Sequence, residues 1–155
     1  MKVIALGNRL RGDDAIGPVI LDRLKEIDLP IPLCFIEAGS DAFTLLEHLS
    51  DSEPVLLIDS AQMGCQPGTI RVFDLSKNFV MSENLISLHG FSFAEVLSIA
   101  HSLGPVAPCK IIGVQPKSIE FGQPLSPEVE EAIPEILNVI IEEAKANAEK
   151  SFDYR

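Results

Sequence analysis

Short apolar runs alternate with segments of helical period along nearly the whole of this chain, and that alternation is its strongest constraint on fold. Residues 3–6, 33–36, 54–59 and 111–114 are apolar runs of strand length. Turn residues close three of them: Gly7-Asn8, Gly39-Ser40 and Gln115-Pro116. Residues 69–73 follow a Pro67-Gly68 turn and alternate polar with apolar, which suggests an edge strand of the kind that runs antiparallel. Between these lie helical patterns. Residues 15–27 space Ile16, Val19, Ile20, Leu24 and Ile27 along one stripe. A second helix, to about Leu49, begins where Ser40 or Asp41 can cap it. A third covers about residues 91–102, after a less regular stretch at 76–88. The last opens at Ser126-Pro127 and runs to about Asn147, with Pro134 expected to kink or restart it.

Strand–helix alternation predicts an α/β fold: a single doubly wound domain, with a mostly parallel sheet of about five strands and helices on both faces. A length of 155 residues suits one domain, expected over 1–150, with 151–155 as a frayed tail. Acidic residues outnumber basic ones 23 to 12, giving a formal charge of −11. Phosphate backbones and anionic lipid surfaces both require a basic face, so neither nucleic acid nor membrane is an expected partner. Cys34, Cys65 and Cys109 form no CxxC pair, as expected of free thiols in a reducing compartment. Cys34 and Cys109, in or beside apolar runs, read as core residues, and Cys65 as a loop residue. With no secretory h-region and no apolar run of spanning length, the expected location is cytoplasmic.

In sheets of this class ligands bind beyond the carboxyl ends of the strands. Three polar features fall there: the loop Gly7-Asn8-Arg9-Leu10-Arg11-Gly12-Asp13-Asp14, the acid Asp59 ending an apolar strand, and His89 before the third helix. Gly7 and Gly12 have the spacing of a phosphate-binding loop, but Asp13 and Asp14 stand where Lys and Ser or Thr belong, and carboxylates repel phosphate. Each residue alone has a plain structural explanation: Asp13 and Asp14 as helix-capping acids, Asp59 as a strand-end acid bonding a loop, His89 as a loop histidine. Their convergence on one edge favours a site. Two carboxylates and an imidazole suit a borderline divalent metal and leave coordination positions open. His48 and His101 fall within helices away from that edge.

The residues at this edge resemble the hydrogenase maturation endopeptidases. The matching segments, in order, are Val3 to Asn8 with Gly12-Asp13-Asp14-Ala15-Ile16-Gly17-Pro18, then Glu37-Ala38-Gly39-Ser40, Leu57-Ile58-Asp59-Ser60-Ala61 with Pro67-Gly68-Thr69, Ser87-Leu88-His89-Gly90, Gly113-Val114-Gln115-Pro116 and Leu125-Ser126-Pro127. The resemblance implies a doubly wound α/β protease of the cytoplasm. It would remove a C-terminal peptide from the large-subunit precursor of a NiFe hydrogenase once nickel has been inserted. It implies Asp14, Asp59 and His89 as catalytic and nickel-binding residues, with the nickel supplied by the precursor and no tightly held metal of the protease's own. Ala5 stands where the family often has Gly. Exposed backbone at Gly39 and Ser40 is expected to position the extended tail, and the protein is expected to be a monomer. No GxSxG elbow or HExxH helix is present, and Asp59-Ser60-Ala61 matches an aspartic-protease Asp-Ser-Gly only in part. The alternative within the same family is a nickel checkpoint or escort that binds the metallated subunit without cutting it. A nucleotide-binding α/β protein is disfavoured by the acidic loop.

Overall fold

The computed structural model describes residues 1–75, 86–87 and 93–153. Strands β1 (Lys2–Leu6), β2 (Cys34–Gly39), β3 (Val55–Gln62), β4 (Ile70–Asp74), β5 (Ile86–Ser87) and β6 (Cys109–Val114) alternate with helices α1 (Ile16–Lys25), α2 (Ala42–Leu49), α3 (Phe93–Leu103) and α4 (Pro127–Asp153). A 3-10 turn, Gly12–Ala15, leads into α1. The main sheet has the order β2-β1-β3-β6-β4, and β5 pairs with β3 off that path. β2, β1, β3 and β6 are parallel, whereas β4 runs antiparallel to β6 at the edge, as its alternating pattern predicted.

Side chains alternate across each strand, so the sheet feeds two cores. Val3, Ala5, Leu56, Ile58, Ile112 and Val114 meet Ile16, Ile20 and Leu24 of α1 and Val129, Ile133, Ile136 and Ile140 of α4. The intervening residues Ile4, Leu6, Val55, Leu57 and Ile111 meet Leu45 and Leu49 of α2 and Val96 and Ala100 of α3. Helices therefore cover both faces, and the doubly wound expectation holds. Asp41 caps α2, its carboxylate accepting from the Phe43 N–H at 2.9 Å.

Several local expectations are corrected. β2 is an edge strand in which only Ala38 is buried, so it is not a buried strand. Cys34, at its start, is consequently exposed and not a core thiol, whereas Cys109 on β6 is buried. Burial, followed by the negative charge of Asp74, pushes the Cys109 thiol up to about 12. α1 ends at Lys25, leaving Ile27 exposed. α4 continues through Pro134 without restarting, and its packed residues on both sides of the proline belong to the same core. The expected frayed tail at 151–155 overlaps the final residues of α4, and Tyr154 and Arg155 lie outside the described residues.

Candidate active site

Strand order locates the site. From β1 the chain moves outward to β2 and then returns to place β3 on the other side of β1. The carboxyl ends of β1 and β3 thus flank a topological switch point, where open α/β sheets hold their ligands. Asp14 enters this crevice from the 3-10 turn after β1 and is 2% exposed. Asp59, also 2% exposed, lies on β3, with its side chain on the face opposite that of Ser60. Asp59 does not end its strand: β3 extends to Gln62, pairing Ser60 with Val114 of β6 and Ala61 with Ser87 of β5.

Asp14 is held from two sides. Its Oδ2 accepts the Asn8 backbone N–H at 2.9 Å, and its Oδ1 accepts the Ser60 hydroxyl at 2.7 Å. The Ser60 bond crosses from β3 to the loop after β1 and fixes the carboxylate at the switch point. Asn8 shapes that loop as well, because its side-chain oxygen accepts the Leu10 N–H at 2.9 Å. Gly7 makes the close approach possible. It has φ +119°, and a Cβ there would lie 2.0 Å from the Asp14 carbonyl oxygen. Arg11 and Ala15, the residues that open the 3-10 turn and α1, make no side-chain capping bond, and Asp13 and Asp14 stand as acids in the first turn.

Arg9 stitches the same loop to its neighbours. Its Nε and one terminal nitrogen donate to Glu37 of β2 at 2.7 and 2.9 Å, and its terminal nitrogens donate to Asp22 of α1 at 2.6 and 3.1 Å. Arg9 in turn holds both carboxylates below the usual range, through hydrogen bonds first and charge second. On the far side of the crevice, buried Gln115 accepts the Met63 N–H at 2.7 Å and donates to Gln62 Oε1 at 2.8 Å, which secures the chain leaving β3.

The profile of the hydrogenase maturation protease family matches residues 19–143. The chain belongs to that family. It is 28% identical to the coenzyme F420 hydrogenase subunit delta of Methanothermobacter thermautotrophicus, over 91% of this chain and 92% of that one. Among solved structures it is similar to a hydrogenase 2 maturation peptidase from a Thaumarchaeota archaeon, with 29% identity, a TM-score of 0.67, and 91% and 96% of the two chains covered. It is also similar to an endopeptidase from Escherichia coli, with 27% identity, a TM-score of 0.75, and 90% of each chain covered.

Within this member of the family, the predicted site residues divide into three groups. Asp14 follows β1 and Asp59 lies on β3, the two strands that flank the switch point, and both carboxylates are buried. His89 lies outside the described residues, and among those described no group of three His, Cys, Asp or Glu is placed to hold a metal ion. Gly39 ends β2 half-buried, and Ser40 follows it exposed. The Gly39 carbonyl already accepts the Gly7 N–H at 3.0 Å, and its φ of +58° leaves open space where a Cβ would stand. Sequence reading overlooked Ser60, Asn8 and Arg9. A serine directly after the strand acid was the available signal for Ser60, since alternation sends the two side chains to opposite faces.

Proposed function

We propose that this protein is an endopeptidase that removes a C-terminal peptide from the nickel-loaded large-subunit precursor of a NiFe hydrogenase. Family membership supports the class of reaction, and the observation that carries the site is the Asp14–Ser60 bond at the switch point. The protein works as a monomer in the cytoplasm, and no helix of the described residues is long and apolar enough to cross a membrane.

Peptide hydrolysis adds water across a C–N bond: the water oxygen bonds to the carbonyl carbon, and the leaving nitrogen gains a proton. Asp14, Asp59 and His89 together form the set that meets the nickel, which arrives with the precursor. Nickel there supplies Lewis-acid character, polarising the carbonyl or lowering the pKa of a water. A carboxylate held as rigidly as Asp14 can equally take the proton from that water and pass it to the leaving amine. Ser87, paired with Ala61 near the end of β3, stands two residues before His89 in the chain, which supports His89 as the third member. Half-buried Gly39 at the end of β2 and exposed Ser40 after it position the tail by backbone hydrogen bonds.

A second reading rests on one relative, which carries the name of a hydrogenase subunit. In that reading the chain binds the metallated subunit and remains bound without cutting it. Incubating wild type, Asp14→Asn and Asp59→Asn with nickel-loaded precursor separates the two. The protease reading expects cleavage by wild type and a loss of about 100-fold or more in each variant, the scale of a removed acid–base group. Full cleavage by both variants contradicts the assigned site, and stable complex formation with uncut precursor favours the escort.

A further inference from the structure

Two large apolar side chains stand out on neighbouring loops at the C-terminal edge of the sheet. Leu10, in the loop after β1, is 60% exposed, and Phe121, between β6 and α4, is 73% exposed. Backbone bonds join the two loops into one body. The Gly122 N–H donates to the Leu10 carbonyl at 2.8 Å, the Gly12 N–H to the Gln123 carbonyl at 3.1 Å, and the Asp13 N–H to the Ser118 carbonyl at 2.9 Å. The buried Asp13 carboxylate completes the clamp. It accepts the backbone N–H groups of Lys117 (2.8 Å), Ser118 (3.2 Å) and Ser126 (2.6 Å), and the Ser126 hydroxyl at 2.9 Å. A rim braced this way is preorganised, so ordering it on contact costs little.

The rim also carries a positive charge. Arg9 is paired with Asp22 and Glu37, and Lys117 with Glu128, but Arg11 makes no ion pair among the described residues. In a chain of net charge −11, an unmatched cation beside two exposed apolar groups suits a partner surface that is apolar and carries a carboxylate. A cavity of about 260 Å³, lined in part by Lys117, Gln123, Pro124 and Leu125, opens beside Phe121's segment. Consecutive residues serve both places: Asp13 braces the rim, and Asp14 lies in the crevice. A protein whose tail reaches Asp14 therefore comes close to this rim.

We propose that Leu10, Arg11 and Phe121 form the docking surface for the folded body of the precursor, meeting an apolar patch bordered by an acidic side chain. This rests on the protease reading above. Two measurements test it: kcat and KM on the nickel-loaded cognate precursor, and Kd for that precursor in the cleavage-deficient Asp14→Asn background. The variants are Leu10→Ser with Phe121→Ser, and Arg11→Glu. Leu103→Ser is the control, an equally exposed residue ending α3 near the opposite edge. The rim variants are expected to raise both KM and Kd about tenfold or more, the scale at which a few anchor residues dominate an interface. Their kcat and thermal melting stay unchanged, and Leu103→Ser alters nothing. Unchanged KM and Kd in folded rim variants overturn the docking surface and leave the protease reading intact. If wild type binds precursor without cutting it, the protease reading fails and Kd alone decides the rim. If wild type does not bind at all, the docking surface is overturned.

Discussion

Gly7 carries more of the site than its lack of a side chain suggests. It turns the chain at φ +119° and lets the Asp14 carbonyl pass where any Cβ would collide at 2.0 Å. Gly7→Ala should therefore combine positive-φ strain with a backbone clash and destabilise the fold by about 3 kcal/mol. Urea unfolding measures this, and a loss below about 1 kcal/mol would show that the loop relaxes around the methyl group. Asp14 and Asp59 could be picked out in the sequence as acids close to apolar, strand-forming runs. Their neighbours' tasks could not. Asp13 and Asp14 look interchangeable as letters, yet Asp13 braces a segment more than 100 residues away while Asp14 faces the crevice. Nothing local distinguishes them, since the difference is made by Ser60 and by the chain at 117–126. Cys34 shows the reverse error, where an apolar run implied burial that an edge position does not provide.

At the level of elements, periodicity revealed each α-helix among the described residues and each strand of the main sheet, because two cores impose two clear spacings on the chain. It could not say that β2 lies at an edge or that β3 runs on past Asp59, since both depend on which strands become neighbours. The Arg9 cluster is likewise a property of assembled elements, tying the β1–α1 loop to α1 and β2. Its electrostatic contribution has a definite pH direction. Asp22 and Glu37 have lowered pKa values in the fold, so the stability they add is present above the ordinary carboxylate range, about pH 4. It is lost as pH falls through their lowered values. Both acids are well exposed, so solvent screening keeps the effect small. Comparing urea midpoints at pH 6 and pH 3, Arg9→Met should lose stability less steeply than wild type on acidification. An equal drop in both would mean that the cluster contributes nothing in solution.

For the whole molecule, topology turns this set of elements into a site. The switch point falls between β1 and β3, buried Asp14 and Asp59 belong to the segments that flank it, and the loops after β1 and β6 are braced against each other. On the proposed reading, the free protease holds an incomplete metal set and has little means to cut bystanders. A precursor that brings nickel would supply the missing cation and so report that its own assembly is complete. Nickel dependence is thus the central claim, and intact-mass analysis of the cognate large-subunit precursor tests it most directly. The precursor is incubated with this protein in nickel-loaded and nickel-free forms. The expected result is loss of a short C-terminal peptide from the loaded form alone. Equal cleavage of both forms, or none of the verified loaded form, would contradict it.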